Sequence, residues 1–517
     1  MEFKKQKHAL FRVVFGRTGI ILALIVLQCV LLAEGWMYLT EQFRMVFVGG
    51  LGILEAIVVI AIFNRDQNSS TIKMGWIVPI LVAPVLGVGL YCFVHIGFGF
   101  RAMKKRIATI CNDTRHYLPQ SERLLAFLQA KNPALARLSR YIYHVGGFPI
   151  CEHTKVVYFP SGEEKRVALR KELQEAKAFI FMEYFIIDEG LWWSEVLDIL
   201  KQKVAEGVEV RLMVDGIGTL PRLPVHYDRY LRSLGIKTKI FSPVVPLLST
   251  YQNNRDHRKI VVVDGRTAFT GGINIADEYI NKKHPFGEWK DTAVMLKGEG
   301  VHNFTQMFLQ MWNVTEQQPE DYQQYLRVTK PYEGEKGYSI AYGDNPMDTD
   351  LLGEEVYVDI LRRATRYVHI MTPYLVLDDV LLQALCNTAK SGVEVRLILP
   401  EIPDKRVPNY IAKSFYPVLL ENGVEIYHFT PGFIHAKSFV SDNIRAVVGS
   451  INLDFRSLCH HFECALYMED MDVVTDIEKD FSDTLARCRK ITFKEYKAFP
   501  LWHRLCGKAL RILAPLM

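Results

Sequence analysis

The chain has 517 residues, a formal net charge of +5 and 49% hydrophobic residues, ample for a sizeable core beyond any membrane part. So small a charge is weak ground for attraction to anionic lipid and says little about nucleic acid. Nine cysteines, an odd number at scattered positions, exclude a disulfide framework.

The first hundred residues read as a membrane-anchoring region with two or three hydrophobic helices. Ile20–Ala33, Met45–Phe63 and Trp76–Phe100 are apolar, and a span needs about 20 residues. The latter two are long enough. The first is short unless extended back through Arg17 to Val13. A signal peptide is its alternative reading, but no small-residue cleavage site precedes Glu34 and further apolar segments follow. Lys4, Lys5, Lys7, Arg12 and Arg17 favour a cytoplasmic N-terminus, while Arg101, Lys104, Lys105 and Arg106 favour a cytoplasmic start to the remainder. Three full spans cannot satisfy both. Either one segment lies in the interface or re-enters, or the remainder faces outward. Pro79, Pro84, Gly87 and Gly89 interrupt the third stretch.

Residues 101–145 read as linker helices, and from 146 on the chain repeats itself. Phe179–Ile187, ending in Asp188, matches Tyr367–Leu377, ending in Asp378. Gly207-Val208-Glu209-Val210-Arg211-Leu212 recurs as Gly392-Val393-Glu394-Val395-Arg396-Leu397, and Leu234-Gly235-Ile236 answers Asn422-Gly423-Val424. Alternating strands and helices predict an α/β fold of two pseudo-twofold lobes, 146–320 and 345–517, with mixed, mainly parallel sheets flanked by helices. The segment Gln317–Asp350 is the natural junction. At the C-terminus, Trp502, Leu505, Ala509, Leu510, Ile512 and Leu513 among His503, Arg504, Lys508 and Arg511 read as an amphipathic helix, either interfacial or packed on its lobe.

Each lobe carries one copy of H-x-K-x4-D-x6-G-[GS]-x-N. The first is His257, Lys259, Asp264, Gly271, Gly272 and Asn274; the second is His435, Lys437, Asp442, Gly449, Ser450 and Asn452. Residues i and i+2 of a strand share a face, so each histidine projects beside its lysine while Arg258 points away. Ile260–Val263 is short and β-branched, a buried strand, and Asp264-Gly265 turns the chain. An imidazole next to an ammonium suits a reacting anion. Lysine supplies fixed charge and donors to phosphate oxygens, and histidine serves as nucleophile or acid–base. Asp264 and Asp442 lie past the strand, where a structural role weighs as much as a chemical one.

These residues resemble the phospholipase D superfamily, in which two such motifs meet in one active site, and within it bacterial cardiolipin synthases. The resemblance rests on Arg255-Asp256-His257-Arg258-Lys259, Gly271-Gly272-Ile273-Asn274, Trp289-Lys290-Asp291-Thr292 and Pro431-Gly432-Phe433-Ile434-His435-Ala436-Lys437-Ser438, and runs from about residue 45 to the end. Lys290 stands where such proteins usually carry Arg, which keeps the charge and loses a bidentate fork. The resemblance implies two phospholipase D-like lobes in a multi-pass protein of the bacterial cell membrane, its catalytic part cytoplasmic. Two phosphatidylglycerol molecules would give cardiolipin and glycerol through a phosphatidyl-histidine. His257, Lys259, Asp264, His435, Lys437 and Asp442 would form the catalytic set. Asn274 and Asn452, with Gly272 and Ser450, would hold phosphate oxygens, and Glu463 and Asp291 would orient the imidazoles. The partners implied are phosphatidylglycerol and the bilayer, not nucleic acid, and the oligomeric state is left open. No cofactor and no metal is expected, since lysine and histidine supply the positive charge; Cys459, Cys464, His460 and His461 lack a second ligand pair at matching spacing. A phospholipase D hydrolase, or a phosphatidyltransferase with another donor or alcohol, is the alternative. A nuclease and a decayed scaffold are further readings, disfavoured by the absence of a dense basic track near the motifs and by the completeness of both motifs.

Overall fold

The computed structural model describes residues 40–64, 70–95, 98–219, 222–242, 254–326, 332, 334–512 and 514–516, with 26, 28–30, 33 and 37. Most of Ile20–Ala33, and the loop with Pro243, Pro246 and Tyr251 that leads into the first motif, lie outside the described residues, as do the basic residues before Arg17 and Arg17 itself. The chain divides into two compact units, one comprising 1–103, 244–254 and 509–517, the other 104–243 and 255–508.

In the first unit, one helix among the described residues is long and apolar enough to cross a membrane. It runs over Glu41–Phe63, with Met45–Phe63 its 19-residue apolar stretch. At about 1.5 Å per residue that stretch approaches the thickness of a hydrocarbon core. The second long stretch read from sequence, Trp76–Phe100, is not one helix. It breaks into Ser70–Val82 and Pro84–His95, and a new helix, Phe98–Thr114, begins beyond. The two short helices double back, bringing the Trp76 and Tyr91 rings to 5.4 Å. Pro84 has no N–H to continue the first helix. A Cβ on Gly87 would lie 2.5 Å from Ile80 Cα, so only glycine allows so close a crossing. Neither helix reaches the length of a span alone.

The second unit opens with the helices Glu122–Lys131 and Pro133–Gly146, joined by Asn132, whose side chain caps the second helix by accepting from Leu135 N–H. The first lobe then contributes β1 (Lys155–Phe159), β2 (Phe179–Tyr184), β3 (Glu209–Asp215), β4 (Lys237–Phe241), β5 (Arg255–Asp256), β6 (Ile260–Val263), β7 (Thr267–Gly271), β8 (Glu288–Lys290) and β9 (Ala293–Lys297). Its sheet runs β1-β9-β7-β6-β2-β3-β4. The second lobe adds β10 (Tyr338–Asp344), β11 (Tyr367–Met371), β12 (Glu394–Pro400), β13 (Glu425–Phe429), β14 (Gly432–Ile434), β15 (Ser438–Ser441), β16 (Arg445–Gly449), β17 (His461–Glu469) and β18 (Cys488–Ile491), with order β10-β17-β16-β15-β11-β12-β13-β18. β10 lies within the segment read as a junction and forms the edge of the second sheet.

The sheets are mixed but mainly antiparallel, which corrects the expectation of mainly parallel ones. Along the two main sheet orders, β2-β3-β4 and β11-β12-β13 run parallel and every other neighbouring pair is antiparallel. Helix-connected strands obey the parallel rule. The motif strands instead turn back tightly, β6 into β7 and β15 into β16, and a tight turn can join only antiparallel neighbours.

All four residues of β6 are buried, as the β-branched run requires. Helix Leu191–Ala205 covers one face of the first sheet, where Trp192, Trp193, Val196 and Leu200 share a core with Ile180, Met182, Val261 and Val263. The almost wholly buried helix Val301–Trp312 covers the other, with Phe308 stacked on Phe181 at 4.7 Å. Asn303 of that helix donates to the Ala341 carbonyl on β10, tying the lobes together. The C-terminal helix Leu501–Arg511 packs on helix Arg406–Glu421: His503 stacks on Tyr410, and Gly507 lies against the Tyr410 carbonyl. Leu501, Trp502 and Leu505 stay exposed.

Candidate active site

Two short ladders join the lobes and set the site. β5 pairs in parallel with the start of β17, and His257 N–H donates to the Phe462 carbonyl at 2.9 Å. β14 pairs in parallel with β8, and His435 N–H donates to the Lys290 carbonyl at 2.6 Å. Each motif histidine is thereby registered against a strand of the opposite lobe.

The consequence is a crossed arrangement of acids. His257 Nδ1 lies 2.9 and 3.0 Å from the two Glu463 oxygens, and His435 Nδ1 lies 2.6 Å from Asp291 Oδ2. Each Nδ1–H directed at a carboxylate leaves Nε2 as the free nitrogen. Burial pushes the His257 pKa well below 6.5, against the opposing charge of Glu463. Burial, helped by Lys437, lowers His435 to about 4. Both imidazoles are therefore neutral near pH 7. Burial alone would raise Glu463, but His257, His461 and Lys259 together hold it below the usual carboxylate range, so it keeps its charge.

Lys259 and Lys437 sit on the same strand faces as their histidines, each donating back to the carbonyl of its own histidine. Lys437 Nζ also lies 2.9 Å from His435 Nδ1. Burial lowers Lys259 to about 8 and Lys437 to about 7, despite the opposing pull of Glu463 and Asp291. The charge of Lys259 adds to the lowering of Lys437, so the two ammonium groups repel, and an anion beside them would relieve that repulsion.

The glycine–serine difference between the motifs follows from the acids. Ser450 Oγ donates to Glu463 Oε2. In the other half, a Cβ on Gly272 would lie 2.1 Å from Asp291 Oδ1, so no side chain fits beside the shorter acid. The asparagines stand just behind. Asn274 accepts from Ile186 N–H at 3.0 Å and donates to Tyr279 Oη at 2.7 Å. Asn452 donates to Ser457 Oγ at 3.0 Å, and its buried Oδ1 has no hydrogen-bond partner among the described residues.

Asp264 and Asp442 are not brought to this cluster. They lie at the far ends of β6 and β15 with left-handed φ of 54° and 60°. Asp264 accepts from the N–H groups of Lys177, Ala178 and Phe179, and Asp442 from those of Thr365, Arg366 and Tyr367. Both clamp the entry of the central strand. Lys290 likewise points away, donating to both Asp480 oxygens at 2.8 and 2.7 Å and to the Pro160 carbonyl. Arg258 turns behind the motif to Glu183 at 2.6 Å, so neither Glu183 nor Arg258 faces the histidines.

Three neighbours had no assigned role in the sequence. Lys165, wholly buried, donates to the Ile273 carbonyl at 3.1 Å, just where Tyr357 Oη donates to the Ile451 carbonyl in the other half. Burial lowers Lys165 to about 7. Trp289 lies 5.3 Å from the His435 ring, and His461 lies 5.4 Å from the His257 ring. The i, i+2 spacing to Asp291 and Glu463 was the signal available for the last two.

A mixed-sheet α/β pair of lobes with two histidine–lysine pairs and crossed acids defines a phospholipase D-like enzyme of the phosphatidyltransferase class. Residues 169–312 and 357–485 match the family described as cardiolipin synthase, PLD-like domain. A cardiolipin synthase of Alkalihalophilus pseudofirmus is 31% identical over 477 residues, covering 91% of this chain and 94% of the relative. An uncharacterized protein of Streptococcus mutans is 47% identical over 461 residues, covering 89% and 99%. The chain belongs to the cardiolipin synthase family. Its fold is also similar to that of phosphatidylserine synthase from Haemophilus influenzae, with a TM-score of 0.54 at 13% identity, covering 74% of this chain and all of that one.

Proposed function

We propose that the protein transfers a phosphatidyl group from one phosphatidylglycerol to the hydroxyl of a second, releasing glycerol and forming cardiolipin. The observation that carries this reading is the pair of neutral imidazoles, each oriented by an acid from the opposite lobe and flanked by a lysine. One imidazole Nε2 attacks the phosphorus; the P–O bond to glycerol breaks, leaving a phosphatidyl-histidine. The other imidazole takes up a proton at Nε2 when the anionic phosphodiester binds, passes that proton to the departing oxygen, then takes one from the incoming hydroxyl as that oxygen reforms a phosphodiester. Lys259 and Lys437 balance the non-bridging oxygens as charge redistributes, and the asparagines steady the segments behind them. The family and the apolar helix Met45–Phe63 support a lipid phosphodiester, and a bilayer anchor would spare a diacyl substrate from leaving the membrane. The reading places the enzyme at the bacterial cell membrane with its lobes on the cytoplasmic side.

Labelled phosphatidylglycerol in mixed micelles tests the reaction. Cardiolipin and free glycerol in equal amounts are expected. Phosphatidic acid as sole product would make the protein a hydrolase, and transfer from another donor lipid alone would reassign the substrate.

A further inference from the structure

His461 is more than nine-tenths buried, yet neither ring nitrogen has a hydrogen-bond partner among the described residues. Buried polar groups are nearly always satisfied, and an orphan marks a place for an ion or a water. His461 and Glu463 stand two apart on β17 and so face the same way, toward His257. One ligand atom from each of His257, His461 and Glu463 lies within 4.8 Å of the other two. Glu463 Oε1 is 2.9 Å from His257 Nδ1 and 3.6 Å from His461 Nδ1. Ligands at about 2.1 Å from a tetrahedral zinc ion are about 3.4 Å apart, a value between these two distances. The duplication provides the internal control. The counterpart of His461 is Trp289, two residues before Asp291 and equally close to its own histidine, and an indole offers no lone pair to a metal.

We infer that His257, His461 and Glu463 form an exchangeable binding site for a divalent transition ion such as Zn²⁺, whose occupancy switches the enzyme off. Coordination takes the Nδ1 lone pair of His257, whose proton moves to Nε2 and blocks that nitrogen, and takes the Glu463 oxygen that orients the ring. The fourth position stays open to water or phosphate. Binding of the ion depends only on these three side chains; its inhibitory effect rests on the proposed role of His257.

The test uses the full chain in detergent, stripped with chelator and free of any affinity tag, with Co²⁺ as the probe. Saturable binding of one Co²⁺ per chain with visible ligand-field absorption, displaced by Zn²⁺, is expected, together with loss of turnover that chelator restores. His461→Asn should weaken Co²⁺ binding and Zn²⁺ inhibition by at least about tenfold, the inhibition being read against that variant's own turnover in metal-free buffer. His461→Trp, which copies the counterpart, serves if the first variant does not fold by circular dichroism. His435→Asn should bind Co²⁺ like the wild type although inactive. No saturable Co²⁺ binding by the wild type, or equal binding by a folded His461 variant, overturns the site. Binding without inhibition would support the site and count against the role of His257 in turnover.

Discussion

Behind the first motif, Arg258 sits between Glu183 at 2.6 Å and Asp256 at 3.3 Å. Behind the second, Ala436 holds the same place in an apolar cluster with Met371, Ile398, Phe429 and Ile434. In front of both, the histidine, lysine and opposed acid recur. A buried ion pair and a well-packed apolar group are often interchangeable in stability, which leaves the back of each motif free to differ. The front is not free under the proposed reaction, in which one histidine is the nucleophile and the other carries the proton. Where the fronts do differ, as with Gly272 against Ser450, the reach of the neighbouring acid dictates the change.

The two halves look alike in front, so the sharpest experiments ask where they act differently. His257→Asn and His435→Asn should each lower turnover by at least about 10⁴-fold. A phosphatidyl ester with a good leaving group needs no proton from the enzyme. With that donor, only one of the two variants should still accumulate a labelled histidine adduct, and mapping it names the nucleophile. Label on neither histidine would end the covalent scheme. Glu463→Gln and Asp291→Asn should each cost between about 10²- and 10⁴-fold, read as kcat with a small change in KM. A gap of more than tenfold between them would show that the acids do unequal work.

The pH profile separates the lysines. As pH rises through about 7, Lys437 loses its proton, and Lys259 follows near 8, so turnover declines in two steps. As pH falls through about 4, His435 gains a proton and can no longer serve as base or nucleophile, giving the acid limb. Lys437→Arg, which does not titrate in this range, should remove the step near 7 and leave the one near 8. An unchanged profile would remove Lys437 from the alkaline limb.

Asp264→Asn and Asp442→Asn should act on stability. Each replaces an acceptor of three backbone N–H groups by one that serves fewer, a loss of about 2 kcal/mol by denaturant midpoint, with kcat of the folded enzyme within a few fold of wild type. Lys290→Arg is the smallest change. Its partners Asp480 and the Pro160 carbonyl lie away from the histidines, so unfolding should move by no more than about 0.5 kcal/mol.

Much of this site was legible because strand periodicity is rigid. A histidine and lysine two residues apart must share a face, and a β-branched run between two turns must be a buried strand. Glu463 and Asp291 came from family resemblance, and their crossing over did not, because it depends on ladders of two and three residue pairs between distant segments. Sheet direction was misread for a related reason: helix alternation governs three strands of each sheet, and the remainder follow hairpin turns. Apolar composition suggested a long helix over Trp76–Phe100, but the hairpin there is set by Pro84 and the Gly87 contact, which composition does not register.

The crossed acids make each half of the chain a custodian of the other. A nascent or proteolysed chain with only one lobe folded would carry a histidine with nothing to hold its ring and a carboxylate with nothing to hold. Such a fragment would hold only half of the paired site. Coexpressed as separate pieces, the halves should be silent singly and competent only when paired, so the proposed activity would appear only once both lobes have folded together.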